Sequence, residues 1–194
     1  MFKKIQRFPW LILLPIVIYI VYCLISNHNN LFARSDICYY NYFLSSLLHR
    51  RLDLVIDFRH DLSFYNNKWY MYWGPAPVFF ILPFVVFGRI QTSDVFYTLV
   101  AGIGNIVLFY LAARELIRYF KLKVAAFSFW IIVIGFALIS PNFYLSLIGK
   151  VWYTNQTIAV FYLLFFLFSF FKLLNTEKLR YFYLAVIFFN LAWL

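Results

Sequence analysis

The sequence predicts an all-α fold: a polytopic membrane helix bundle with amphipathic juxtamembrane helices in a long first outer loop. Three observations predict it. The 194 residues are 65% hydrophobic and 25% aromatic, with a mean hydropathy of +0.80, which is too apolar to cover a water-exposed surface. Several apolar runs approach the roughly 20 residues that cross a bilayer. The ionisable residues gather between these runs, since residues 27–73 hold four of the seven acidic residues and all three histidines.

The first span is predicted at residues 9–26. This run is too long for a cleavable signal peptide, and no small-x-small cleavage site follows it. Lys3, Lys4 and Arg7 precede the run, so the positive-inside rule places the N-terminus in the cytoplasm. The long loop at residues 27–94 is then expected on the outer side of the membrane.

Within this outer loop, the apolar run 75–88 has two possible arrangements. It contains three prolines and is short for a span, which indicates a re-entrant or interfacial segment. If the run crossed instead, residues 114–123 (RELIRYFKLK) would lie outside. Basic residues outnumber the single Glu in that segment, so the positive-inside rule favours the re-entrant arrangement.

Four further spans complete the predicted topology. They are expected at residues 95–113, 124–139, 157–171 and 181–194, with a second outer loop at 140–156. The last run is too short to complete a span. We therefore expect residues 1–194 to be the N-terminal part of a longer membrane domain.

The net charge of +10 does not indicate a nucleic-acid partner in this setting. The basic residues lie mainly at the edges of the apolar runs, where membrane orientation and anionic lipid headgroups account for them. The expected location is the cytoplasmic (inner) membrane, with several spans.

Asp36 opens the outer loop and has two compatible interpretations. Ser35 or Asp36 is predicted to cap a helix that runs to about Arg50 and lies on the membrane surface. Asp36 is also a candidate catalytic or metal-binding carboxylate, because ionisable groups beside membrane spans are often functional. The carboxylates of Asp53, Asp57 and Asp61 are most simply part of a solvated loop, and the sequence does not show which of them would partner Asp36.

Further polar and aromatic residues of the two outer loops are candidates for binding substrate. Asn66-Asn67 predicts a turn between two short extended segments. The aromatic residues around this turn and in the second outer loop are also typical of an interfacial belt. The candidate substrate-binding residues are Arg34, Tyr39, Tyr40, Asp61, Lys68, Tyr70, Lys150, Trp152, Tyr153 and Gln156.

The order of these features resembles a known superfamily. One span is followed by an outer loop that opens with Asp36, and a Tyr-rich stretch runs into Gly-Pro-Ala-Pro at residues 74–77. A later span ends in Ala-Ala-Arg-Glu-Leu at 112–116, and the next ends near Ser-Pro at 140–141. This pattern is similar to the GT-C polytopic glycosyltransferases, which include the family 39 protein mannosyltransferases, the aminoarabinose transferases and the catalytic subunit of oligosaccharyltransferase.

The resemblance implies a bacterial cell-envelope transferase that takes a sugar from a polyprenyl-phosphate donor to a lipid, glycan or protein acceptor outside the membrane. It implies that Asp36 is the essential carboxylate of the first outer loop, which either accepts the proton of the attacking hydroxyl or holds a divalent metal, Mg²⁺ or Mn²⁺. One feature departs from the pattern. Many members carry a second acidic residue before the Pro-rich segment or in the second outer loop, where this chain has Gly74 and the residues around Lys150.

Two other classes of protein compete with this interpretation. A non-enzymatic membrane protein, either a transporter or a component of polysaccharide assembly, would share the composition. Transporters place polar residues within their spans, whereas the predicted spans here contain almost none. A structural fragment without activity of its own is the third alternative. The polar residues of the outer loops therefore favour a transferase.

Overall fold

A computed structural model describes residues 9–57, 59–88 and 91–193. These residues are mostly helical, with 69% in helices and 4% in strands. Lys3, Lys4, Arg7 and Leu194 lie outside the described residues, so the orientation inferred from the N-terminal charges stays a prediction.

A short 3-10 helix at Pro9–Ile12 precedes eight α-helices and one β-hairpin in the described part of the chain. The helices are α1 Leu13–Ser26, α2 Tyr39–Leu48, α3 Pro77–Gly88, α4 Asp94–Tyr119, α5 Ala126–Ile139, α6 Pro141–Ser146, α7 Val151–Thr176 and α8 Leu179–Trp193. The hairpin strands are β1 Ser63–Tyr65 and β2 Lys68–Tyr70. Among the described helices, α4 and α7 are long and apolar enough to cross a membrane.

The two long helices, α4 and α7, pack along each other, and α8 returns along α7. At the end of the pair, the buried carboxylate of Glu115 accepts hydrogen bonds from Lys172 Nζ at 2.8 Å and from Asn175 Nδ2 at 3.0 Å. Glu177 then ends α7 in the left-handed conformation, at φ 54°, which turns the chain back into α8. The Glu115–Lys172 ion pair and the turn at Glu177 hold α4, α7 and α8 together at this end.

Polar side chains are buried where the helices meet, contrary to the expectation that the spans contain almost none. Asn105 Nδ2 donates to Asn142 Oδ1 at 2.7 Å and to the carbonyl oxygen of Thr157 at 3.0 Å. Asn142 Nδ2 donates to the Tyr19 hydroxyl at 2.9 Å, which in turn donates to the carbonyl oxygen of Ala137 at 2.6 Å. This network joins α1, α4, α5, α6 and α7, because each side chain satisfies a group on another helix.

Helix α2 differs from the predicted surface helix of the outer loop. It begins at Tyr39 instead of at Ser35 or Asp36, its N-cap residue Cys38 provides no side-chain cap, and it ends at Leu48. The predicted cap is wrong because the Ser35 hydroxyl is used in a tertiary contact described below. The helix is also more buried than a surface-lying helix, since Asn41 accepts from Tyr97 and donates to the carbonyl of Thr92.

Helix α3 contains the apolar run whose arrangement the sequence left open. Its 12 residues span about 18 Å, which is less than the roughly 30 Å of a hydrocarbon core. Val78, Ile81 and Val85 form its buried face, and it packs against α2 and α7. Helix α3 thus covers the outer-loop helix α2 as well as the long helix α7.

The predicted turn at Asn66-Asn67 is confirmed. Both residues have positive φ, 47° and 57°, as a tight hairpin turn requires, and asparagine tolerates this conformation better than most residues. Strands β1 and β2 pair antiparallel on either side. Leu54 extends the sheet by donating its N–H to the Trp69 carbonyl at 2.8 Å.

Candidate functional site

The loop that carries Asp36 lies on the N-terminal end of α4. We call residues 31–36 the docked loop. Ser93, which caps α4, donates its hydroxyl to the carbonyl of Ala33. Asp94 accepts the Ser35 N–H at Oδ1, at 2.9 Å, and the Ser35 hydroxyl at Oδ2. Because Asp94 is fully buried, these bonds fix the loop at a defined position on the helix.

The segment 140–156, predicted as the second outer loop, joins the same contact through Gly149. The Ser35 hydroxyl oxygen lies 3.0 Å from the Gly149 carbonyl oxygen. A Cβ at Gly149 would lie 2.3 Å from Val95 N and 2.6 Å from the Asp94 carbonyl carbon, so only glycine permits this approach. The contact therefore brings the segments that carry Asp36 and Lys150 together, and both of those side chains are exposed.

Asp36 lines an open cleft of about 450 Å³, which we call the Asp36 cleft. Its lining residues are Arg34, Ser35, Asp36, Cys38 and Tyr42. Asp36 supplies the carboxylate of this lining, opposite in charge to Arg34. A carboxylate beside a fixed cation is able to accept a proton while the cation faces an anionic group.

Arg34 is held in the Asp36 cleft by two neighbours. Its Nε donates to Cys38 Sγ at 2.9 Å and its Nη2 to the Tyr42 hydroxyl at 2.5 Å, with the guanidinium 5.3 Å from the centre of the Tyr42 ring. Burial lowers the pKa of Arg34, but the hydrogen bonds and charges of these two neighbours outweigh burial and raise it overall. Burial raises the pKa of the Cys38 thiol, so the thiol stays protonated beside this permanent cation.

A second polar cleft of about 580 Å³ lies between α2 and the hairpin, and we call it the hairpin cleft. It shares Tyr42 with the Asp36 cleft, so the two are neighbours. Its chemically distinctive lining residues are Asp53, Asp57, Arg59, Phe64, Lys68 and Trp69.

Asp53 ties two cations to the wall of the hairpin cleft. Its carboxylate accepts from Arg51 at 2.5 Å and lies 3.8 Å from Lys68 Nζ. The hydrogen bond from Arg51 lowers the pKa of Asp53 against the opposing effect of burial. Asp53 is therefore ionised at neutral pH and satisfied within the chain.

An apolar groove of about 480 Å³ lies on the other side of the docked loop. Its residues include Phe32, Pro83, Phe84, Phe87, Ser93 and Phe96. The rings of Phe32 and Phe96 are 5.0 Å apart, and those of Phe84 and Phe96 are 6.1 Å apart. Since Phe32 lines the groove while Arg34 and Asp36 line the Asp36 cleft, the docked loop contributes side chains to both.

Two of the predicted substrate-binding residues, Tyr39 and Tyr40, are buried and bonded within the protein. The Tyr39 hydroxyl donates to the carbonyl of His60 at 2.5 Å. The Tyr40 hydroxyl lies 2.9 Å from Asn155 Oδ1 and 3.3 Å from the carbonyl of Gly74, and burial raises its pKa. Both tyrosines therefore connect α2 to other segments of the outer loops.

Three other predicted residues lie away from the Asp36 cleft lining. Asp61 is exposed in a turn with φ 62°. Tyr70 is half-buried in β2, opposite Ser63, and Gln156 is exposed on α7. The structure does not join these side chains to Asp36.

Trp152 and Tyr153 belong to an aromatic cluster that links the two outer loops. The ring of Trp152 is 6.3 Å from that of Trp73, and the ring of Tyr153 is 5.7 Å from that of Tyr144. Both residues are half-buried at the start of α7.

Of the predicted binding residues, Arg34 lines the Asp36 cleft and Lys68 lines the hairpin cleft.

Asp36 has few neighbouring donors for the predicted Mg²⁺ or Mn²⁺. The described residues contain no group of three or more His, Cys, Asp or Glu side chains that could hold an ion. A divalent cation at Asp36 would depend on oxygens from the substrate. The metal at Asp36 therefore stays a prediction.

Asp94 is the residue of this site that the sequence did not reveal. It looks like an acidic N-terminal residue of a helix, which is common and usually electrostatic in effect. Its contact with Ser35 joins positions 59 residues apart along the chain. The short Thr-Ser-Asp stretch before an apolar run was a signal for the helix start only.

Searches of protein-family models, of curated proteins and of solved structures find no match to this chain. The resemblance to the GT-C superfamily therefore rests on the sequence pattern, and the function is proposed from the geometry of the site.

Proposed function

We propose that the chain is part of a membrane glycosyltransferase that takes a sugar from a polyprenyl-phosphate donor outside the cytoplasmic membrane. The docked loop is the observation that carries this proposal. Phe32 of this loop lines the apolar groove, whereas Arg34 and Asp36 line the polar cleft. A polyprenyl phosphate has the matching parts, a long apolar chain joined to an anionic headgroup.

Exposed apolar side chains support a membrane around the bundle. Val17 on α1, Phe127 on α5 and Ile187 on α8 are 55%, 76% and 53% exposed, and they belong to larger apolar faces of these helices. Such faces are unfavourable in water and favourable against lipid chains. The basic segments at 114–123 and 172–180 favour the orientation in which the docked loop is outside.

The proposed reaction uses the Asp36 carboxylate as a general base. The acceptor hydroxyl oxygen attacks the anomeric carbon of the sugar, and its proton passes to Asp36. The bond between the anomeric carbon and the phosphate oxygen breaks, and its electron pair leaves with the polyprenyl phosphate. A general base of this kind contributes about 10²- to 10⁴-fold to the rate.

Arg34 is suited to hold the phosphate during this step. Its guanidinium is oriented by Cys38 and Tyr42, so it is already aligned before the negative charge develops on the leaving group. Asp94 is unsuited to the role of base, because both of its oxygens accept hydrogen bonds from Ser35. Lys150 follows Gly149 and is a second candidate cation for the headgroup.

A transporter is the second candidate function, and one observation favours it. Asn105 Oδ1 is buried without a hydrogen-bond partner among the described residues, in the interior where α4 meets α7. Transporters bind their substrates near the middle of the bilayer, through polar groups of this kind. The assay below separates the two functions, since a transporter does not cleave a lipid-linked sugar.

The test is release of sugar from a panel of radiolabelled polyprenyl-phosphate sugars by the full-length protein in membranes. Asp36→Asn keeps the size of the side chain and removes its charge, and we expect it to lower release by about 100-fold or more. Glu177→Gln is the matched control, because it also removes an exposed carboxylate. Glu177 follows the C-terminal end of α7, about 39 Å along that helix from the end next to Gly149 and the docked loop. Equal release by wild type and Asp36→Asn would refute the role of Asp36. Failure of wild type on every donor would favour the transporter.

A further inference from the structure

The hairpin cleft is a second built cavity that the proposed chemistry at Asp36 does not use. We propose that it binds a saccharide, which serves as the acceptor of the transferred sugar. The role of the saccharide as acceptor rests on the proposed function. Binding of the saccharide is measurable without any transfer of sugar. Four features of the cleft support it: its position, its free polar groups, its aromatic surface and its occupied strand edge.

The position of the hairpin cleft suits an acceptor. Tyr42 lines both this cleft and the Asp36 cleft, so the two clefts adjoin at that side chain. Arg34 binds the Tyr42 hydroxyl from the other side. In this proposal, a saccharide beside the hairpin reaches past Tyr42 to bring a hydroxyl to Asp36, the proposed base.

The polar groups of the hairpin cleft match the hydroxyls of a sugar. Asp57 is exposed and has no hydrogen-bond or ion-pair partner among the described residues, so its carboxylate is free to accept from hydroxyls. Lys68, at the start of β2, has a side chain that is 55% exposed, and it supplies donors together with Asn67 of the hairpin turn. Hydroxyls both donate and accept, which is the combination that this lining satisfies.

The hairpin also supplies an aromatic surface at the cleft. Phe64 is 57% exposed, and its ring lies 4.7 Å from that of Trp69. Arg59 covers part of Trp69, with its guanidinium 5.5 Å from the ring centre. The exposed face of Phe64 is therefore available to the apolar face of a sugar ring.

The strand edge that faces Leu54 is occupied, which disfavours an extended peptide as the ligand. Leu54 donates its N–H to the carbonyl of Trp69 at 2.8 Å, so a peptide cannot add a strand to β2 at that point. At this edge of β2, which lines the cleft, recognition is left to side chains. The side-chain carboxylate, ammonium and amide groups of the cleft are better matched to a polyhydroxylated ligand than to the regular backbone of a bound peptide strand.

The experiment measures binding first, by saturation-transfer NMR on the full-length protein in nanodiscs without donor. The probes are oligosaccharides of mannose, galactose and N-acetylglucosamine, with a Ser/Thr-containing peptide as the competing class. Asp57→Asn is expected to weaken saccharide binding by about tenfold, the effect of losing one hydrogen bond to a charged group. Phe64→Leu, which removes the ring and keeps an apolar side chain, is expected to weaken it as well. Glu177→Gln is the control for both.

Each outcome bears on the inference. Saccharide binding that falls in both variants supports the site, even if no donor is turned over, in which case the transferase proposal fails by itself. Binding of no saccharide by wild type, or equal binding by wild type and both variants, overturns the inference. Transfer of sugar to the peptide with no saccharide binding also overturns it, while leaving the transferase proposal in place.

Discussion

Gly149→Ala is the perturbation that most sharply tests how the two outer loops are joined. Its Cβ would lie 2.3 Å from Val95 N, 2.6 Å from the Asp94 carbonyl carbon and 2.8 Å from Asp94 Cγ. Two of these atoms belong to the backbone of α4, so no side-chain rotation relieves the overlap. The loop at Gly149 has to move away from α4, and its carbonyl then loses the Ser35 hydroxyl.

The expected loss of stability follows from these contacts. Inserting a methyl group into a packed site costs about 1–3 kcal/mol, and the backbone atoms here put the cost near 3 kcal/mol. The weakened contact with Ser35 adds about 1 kcal/mol. A total of roughly 4 kcal/mol lowers the apparent Tm by about 8–16 °C, at about 2–4 °C per kcal/mol for a chain of this size.

The assay is thermal unfolding of the full-length protein in detergent, followed by size-exclusion chromatography of the fraction that stays folded. Gly135→Ala is the matched control, because a Cβ there meets no atom within 4 Å and alanine favours α5 by about 0.5–1 kcal/mol. We expect Gly149→Ala to lower the Tm and Gly135→Ala to leave it unchanged or raise it. Equal Tm values for Gly149→Ala and wild type would refute the packing of the second outer loop on α4.

Two further predictions concern other parts of the chain. Glu115→Ala leaves Lys172 beside α4 without its partner, and breaking such a buried pair costs about 3–5 kcal/mol. The fraction of this variant that stays folded after heating should fall well below that of Glu177→Gln. Equal folded fractions in the two variants would contradict the prediction. The pKa of Asp53 is lowered from 3.8 in the folded chain, so its contribution to the hairpin is complete above pH 3.8 and is lost as the pH falls through the lower folded value. The protection factor of the Leu54 amide, whose N–H binds Trp69, should fall in that acidic range in wild type, whereas in Asp53→Asn this Asp53-linked fall should be absent.

The hairpin was predictable because its signal is local. Asn66-Asn67 between aromatic, β-favouring residues specifies a tight turn without reference to the rest of the chain. The apolar helices were predictable for a similar reason, since composition over a window decides them. Helices α4 and α7 nevertheless extend past the C-terminal ends of the predicted runs 95–113 and 157–171, where Glu115 and Lys172 satisfy each other inside the bundle. Helix α7 also begins earlier than predicted, at Val151.

The site itself depends on contacts that no local pattern carries. Ser35 meets Asp94 across 59 positions and Gly149 across 114 positions. This tertiary use of Ser35 is also why the predicted cap of α2 was wrong. Asn105 and Asn142 were visible in the sequence as isolated polar residues, but their pairing needed the helices to be placed.

In the proposed complex, the docked loop lies between the two parts of one lipid-linked ligand. The polyprenyl chain of the ligand lies in the apolar groove, and its headgroup lies at Arg34 and Asp36. The most direct measurement uses a radiolabelled polyprenyl-phosphate sugar with a photoreactive group in its chain, on membranes that contain wild type or Asp36→Asn. Crosslink positions and sugar release are read from the same samples. We predict crosslinks at Phe84 and Phe96 in both proteins, with release lost in Asp36→Asn. Crosslinks confined to the outward faces of α5 and α8, or equal release by the two proteins, would contradict the claim.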